Sequence, residues 1–190
     1  MAGKERSILG TVIRTLVAYV LIVGLYILTT YLSYLTYSTN LQTAKKVTTQ
    51  LGKLFTQVLA HGPLAIFFHN LALATMMSLP FIGPGNTVLI TVNTGRAAGI
   101  IAASTSNVSL SAVGLTMTIV MTTLLPHAIL EFLAYAIALE NSITLTLKIL
   151  KFEISRKDLY IYFLKYSLSV VLLLTAAFIE YAFIISLNSI

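Results

Sequence analysis

A chain of 190 residues that is 57% hydrophobic, 9% charged and free of cysteine is not a soluble domain, in which about a quarter of residues carry charge. Its mean hydropathy of +0.92 comes in long continuous apolar runs, which point to a polytopic helical membrane protein and away from the short alternating segments of a β-barrel. Without cysteine there are no disulfides, no thiolate catalysis and no cysteine-ligated zinc or iron–sulfur site. The net charge of +6 is spread over tails and loops, which fits membrane topology and argues against nucleic acid as a partner. Residues 1–190 read as a single integral membrane domain with no cofactor, a bound divalent metal being the exception weighed below.

Lys4, Glu5 and Arg6 make a short basic N-terminus. Residues 8–37 form the first span. Its ~30 residues would run ~45 Å against a hydrocarbon core of ~30 Å, so the helix must tilt or project. The run is also too long for the apolar segment of a cleaved signal peptide. Tyr31, Tyr34 and Tyr37 are placed at its far end as an interfacial aromatic belt. Residues 41–60 differ in character. Leu41, Ala44, Val47, Leu51, Leu54, Phe55 and Val58 recur at helical spacing, opposite Lys45, Lys46, Thr49, Lys53 and Gln57. They make an amphipathic helix lying in the interface or over the ends of the spans, with docking of an anionic partner as the functional alternative.

The remainder, residues 63–190, forms the core bundle. A second span, residues 63–79, carries His69 and Asn70, and Pro80 with Gly83-Pro84-Gly85 then breaks the helix. A weaker segment over residues 86–104 is rich in small and polar residues. Within it Gly95 and Gly99 fit the small-xxx-small pattern that lets two helices approach closely, read here as an internal contact before a dimer contact. Arg96 between them is expected to end the helix at an interface or to pair with a buried carboxylate. Residues 108–141 are too long for one straight crossing. They read as a span to about residue 125 and a shorter helix after Pro126, either a kinked helix or a crossing plus a half-membrane return. Residues 143–154 read as a second interfacial helix. Residues 159–187 are the last span, with Lys165 snorkelling near its start and Glu180 buried inside it.

The expected fold is therefore an all-α transmembrane helical bundle of about five spans, with broken or half helices and one or two interfacial helices. Basic residues put the N-terminus in the cytoplasm of a multi-pass cell-membrane protein. Lys4, Arg6, Lys148, Lys151, Arg156 and Lys157 then lie inside, and Lys45, Lys46 and Lys53 outside. A full return crossing after Pro126 would change the parity and bring the C-terminus inside.

The most chemically loaded stretch is residues 124–140, where a proline, a histidine and a carboxylate interrupt an apolar run. Pro126 suits the first turn of a helix, where its missing N–H has no partner to lose. His127 and Glu131 are four apart and share a face, with Tyr135 one turn on. Ionisable groups rarely face lipid, so this face looks inward.

Pro126-His127 with Glu131 four on resembles the Pro-His-Gly-x-x-Glu signature of the stage II sporulation protein M family. Asn70 after Phe67-Phe68-His69, Asn93-Thr94-Gly95 followed by Gly99, and Ala176-Ala177-Phe178-Ile179-Glu180 are similar to that family's pattern in the same order. The resemblance runs from about Phe67 to the end. Ala128 stands where the family usually has glycine, which argues against a positive φ there, and Asn93-Thr94 replaces the common Asn-Gly. The resemblance implies an integral membrane protein; members in spore formers act with peptidoglycan-degrading partners during engulfment, and no catalytic residue carries over.

Three roles fit the polar set of His127, Glu131 and Glu180 with Asn70, His69, Asn93 and Arg96 around it. The leading one is a hydrogen-bonded knot that fixes helix register in a structural or accessory subunit that anchors or organises a membrane complex. Interhelical polar contacts are worth ~0.6–2 kcal/mol each, and an unsatisfied one in lipid costs more. Its partners would be the bilayer, membrane or extracytoplasmic proteins, and further copies of the chain. The second is a metal site of His127, Glu131 and Glu180 supporting hydrolysis. The third is an ion or small-solute pathway through the same groups. Nucleophile-elbow and phosphate-loop patterns are absent.

Overall fold

A computed structural model of the chain describes residues 2–105 and 111–188. Among them every regular element is a helix: α1 (Ala2–Ser38), α2 (Leu41–Ala60), α3 (Pro63–Ser78), α4 (Gly83–Thr105), α5 (Ser111–Thr123), α6 (Pro126–Leu150) and α7 (Arg156–Asn188). Three of these are long and apolar enough to cross a membrane, over Leu9–Ser38, Pro126–Leu150 and Arg156–Ser186. Val108, with which the fourth span was expected to begin, lies outside the described residues, as do the side chains of Lys4, Arg6, Ile8, Leu54, Phe55 and Val58.

α6 is the central helix. Ala134, Ala136 and Ala138 are fully buried along it, and side chains this small let neighbouring backbones come close. α7 packs along it, α1 and α3 flank the pair, and α4 lies along α1. Pro63 and Pro126 each occupy the first turn of their helix, as proline's fixed φ and missing donor favour. Ala128 is helical, in keeping with its side chain.

The glycines of the small-xxx-small pattern make the α1–α4 contact. A Cβ on Gly95 would collide with the Tyr26 carbonyl and the Thr29 hydroxyl, and one on Gly99 with the Thr30 carbonyl and the Tyr34 amide. These pairings advance together along both helices, so α1 and α4 run parallel. At the opposite end of α4 the turn into it is clamped from two sides. Phe81 N–H donates to Thr146 Oγ1 (2.7 Å), Ser142 Oγ donates to the Leu79 carbonyl (2.6 Å), and Tyr162 OH donates to the Ser78 carbonyl (3.1 Å). The α3–α4 turn and the α6–α7 turn therefore share one end of the bundle. α2 lies at the other, where Thr48 Oγ1 donates to Ser104 Oγ (2.9 Å).

Several expectations are corrected. Residues 143–154 are not a separate interfacial helix: α6 runs on unbroken to Leu150, because nothing between Asn141 and Lys148 interrupts its hydrogen bonding. The polar residues that suggested a new element mark the end of the old one. Gly83-Pro84-Gly85 does not stand outside the helix but opens α4, since Pro84 falls in the first turn, where a missing N–H has no intrahelical partner to lose. Tyr34 is no belt residue; it is buried under α4 beside Gly99, while Tyr31 is exposed. Ala44 of α2 is buried and Lys45, Lys46 and Lys53 are exposed, as the amphipathic pattern requires.

Gly99→Ala is expected to push α1 and α4 apart at a cost of about 1–3 kcal/mol, the usual range for overpacking a close contact. Gly24→Ala on the same α1 has open space around it and should be neutral or mildly stabilising. Thermal unfolding in detergent measures both, and equal midpoints for the two variants would contradict the close approach.

Candidate functional site

α6 carries a carboxylate on each of two opposite sides. Glu131 and Glu140 are nine residues apart, about two and a half turns, so they point away from one another. The Glu131 side is the one the sequence singles out. Asn70 of α3 is buried, and its Nδ2 donates to Glu131 Oε1 at 2.6 Å. Glu180 is carried by α7, the helix that packs along α6. Tyr135 is buried one turn below Glu131. His127, at the mouth of this face in the first turn of α6, is half-buried, and its ring lies 6.4 Å from that of Phe183. Neither Glu131 nor Glu180 forms an ion pair among the described residues.

The Glu140 side was missed. Glu140 is 3% exposed and takes Arg14 Nε of α1 on Oε1 at 3.1 Å and Lys165 Nζ of α7 on Oε2 at 2.5 Å. Thr144, one turn on, donates Oγ1 to Oε1 at 2.9 Å. One buried carboxylate thus joins three helices. Next to it Asn141 Nδ2 donates to the Tyr162 carbonyl (2.9 Å), and farther along Ser169 Oγ donates to the Ala134 carbonyl (2.8 Å). Lys165, expected to snorkel to the surface, turns inward instead, since a fixed carboxylate in an apolar interior attracts it more strongly than a distant interface. A signal was present: Arg14, Glu140 and Lys165 are charges of complementary sign within three separate apolar runs.

Other expected members fall outside the polar set. Asn93 and Arg96 are exposed, and Arg96 Nη2 donates to Tyr37 OH at 2.9 Å rather than pairing with a buried carboxylate. The reason is geometric, because Gly95 and Gly99 turn one face of α4 onto α1, and residues one or two positions from Gly95 point elsewhere. His69 is likewise exposed, although its neighbour Asn70 is buried.

As a metal centre the donors do not fit. Among the described residues no three His, Cys, Asp or Glu side chains gather closely enough to hold an ion, so His127, Glu131 and Glu180 do not converge as a ligand set. Two shallow surface depressions lie elsewhere, one lined by Ile13, Leu16, Val17, Val20 and Leu21 of α1 and the other by Thr49, Gly52, Lys53, Thr56, Gln57 and Ala60 of α2. Every buried side-chain nitrogen and oxygen among the described residues has a hydrogen-bond partner. Compared with family models, curated proteins and solved structures, the chain matches none.

Breaking the triad one cation at a time is expected to have graded costs. Lys165→Met leaves Glu140 with Arg14 and should cost less than the ~3–5 kcal/mol of stranding a buried charge, whereas Lys165→Met combined with Arg14→Leu strands the carboxylate and should incur that full penalty. Unfolding in mixed detergent micelles measures both; a double variant no worse than Lys165→Met would show that Arg14 does not hold the carboxylate.

Proposed function

We propose that this chain is a multi-pass structural subunit of a membrane complex, and that its polar groups hold the bundle in register for partners that dock on its outer faces. The observation that carries this reading is the closure of the polar core. The buried polar atoms described satisfy one another, as a bundle needs where hydrocarbon offers no replacement hydrogen bonds. The depressions on α1 and α2 are lined by neither Glu131 nor Glu140. α1, α3, α4, α6 and α7 make five crossings, α5 is a half-helix of 13 residues, and α2 lies along the outer interface. The end bearing Lys148, Lys151, Arg156 and Lys157 faces the cytoplasm with the N-terminus, in line with the positive-inside rule, and the C-terminus is outside. Membrane or extracytoplasmic proteins are the partners, in the manner that the resemblance to the stage II sporulation protein M family implies, and further copies of the chain are candidates too.

The distinguishing substitution is Glu131→Gln. Its amide oxygen can still accept from Asn70, so the register survives, and the variant should match the wild type in membrane abundance and native complex size on blue native gels. Glu131→Leu strands the Asn70 amide, costs about 1–3 kcal/mol, and should lower both together. Hydrolysis or solute flux by reconstituted wild-type protein, abolished in a folded Glu131→Gln variant, would overturn the scaffold reading.

A further inference from the structure

The turn joining α6 to α7, residues 151–155, is built more tightly than a linker requires. Phe152 N–H donates to the Ile149 carbonyl (3.0 Å) and Glu153 N–H to the Lys148 carbonyl (3.0 Å). These are the two bonds of a Schellman motif, whose central position has positive φ and is usually glycine. Here it is phenylalanine, at φ 55°. α7 then begins with a capping box. Ser155 N–H donates to Asp158 Oδ2 (3.0 Å) while Asp158 N–H donates to Ser155 Oγ (3.3 Å). Lys148 pairs with Asp158 across the turn.

The strained residue is also the outermost. Phe152 is 95% exposed, with Leu150 and Ile154 exposed beside it. Among the described residues no ring contact or core packing accounts for an aromatic side chain at a position where glycine would be relaxed. Lys148 and Asp158 neutralise each other, leaving exposed Lys151, Arg156 and Lys157 against the single carboxylate of Glu153. Both flanking helices are long and apolar enough to cross a membrane, so the turn emerges at the bilayer surface.

We propose that this turn is a binding site for anionic phospholipid, with Phe152 inserted among the acyl chains and Lys151, Arg156 and Lys157 holding the phosphate headgroups. Aromatic rings settle at this depth, and basic clusters beside a span attract anionic lipid. The charge of the turn selects lipid over a basic protein surface. The proposal rests on α6 and α7 spanning the bilayer, not on the scaffold role.

The chain has no tryptophan, so Phe152→Trp in the full chain, reconstituted into vesicles, reports from this turn alone. Its emission should be shifted to the blue and quenched by lipid brominated near the headgroup. Both effects should grow with the phosphatidylglycerol fraction and lose that dependence when Lys151, Arg156 and Lys157 are changed to glutamine. Val171→Trp, exposed midway along α7, should be quenched by deeply brominated lipid. Water-like, unquenched emission from position 152 with quenching at 171 would overturn the site and leave the spans intact, pointing to a protein cover absent from vesicles. Silence at both positions would overturn the site together with the spans. Quenching at 152 that ignores lipid charge would overturn the headgroup assignment. Phe152→Gly, which relieves the backbone, provides a second measurement. It should fold at least as well as the wild type yet retain less phosphatidylglycerol in native mass spectrometry, and undiminished retention would count against the proposal.

Discussion

The buried carboxylate of Glu140, held by Arg14 of α1 and Lys165 of α7, is the constraint on which the arrangement of the long helices depends. α1 and α7 are apolar on nearly every side. In a soluble protein such faces would be driven inward, but lipid is as apolar as leucine and gives a helix little reason to turn one face rather than another toward its neighbours. A carboxylate buried between apolar helices removes that freedom, because Glu140 can be matched only by cations brought to it, Lys165 and the half-exposed Arg14. With both cations on one carboxylate, the rotation and the depth of three helices are fixed at once.

Shape does the same work where charge does not reach. α4 makes no ion pair with α1 among the described residues, and beside the Arg96–Tyr37 hydrogen bond its register comes from Gly95 and Gly99 against the carbonyls of Tyr26 and Thr30. The two devices act at different levels of one helix. Arg14 locks the N-terminal part of α1 to α6, and residues 26–34, farther along, lock it to α4. The α3–α4 turn is held by Ser142, Thr146 and Tyr162. The ends of α6 and α7 that meet at the basic turn are thus the ends that fasten α3 and α4.

What could be read from the sequence follows the same division. Elements announced by local chemistry were legible: the amphipathic α2, the proline starts of α3 and α6, the close approach at Gly95 and Gly99, and the inward face of Glu131. Features that depend on another helix were not. Glu140 lies at the polar margin of its run, where a carboxylate next to Asn141 and Ser142 reads as the approach to a loop, and only the partners on α1 and α7 make it a core residue. Tyr34 looks interfacial until α4 covers it. Lys165 looks free to snorkel until a carboxylate stands opposite. Asn93 and Arg96 were drawn inward by the cost of polar groups in lipid, but that cost applies to the face they occupy, and the glycines had already assigned the inner face of α4.

The two carboxylates of α6 are held in different ways. Glu140 is matched by two cations, so losing either leaves buried charge less compensated. Among the described residues Glu131 accepts from the neutral amide of Asn70 and forms no ion pair. The Glu140 triad therefore ties α1, α6 and α7 by charge, and the Asn70–Glu131 bond ties α3 to α6 through a neutral donor, so that the two together hold the bundle in register.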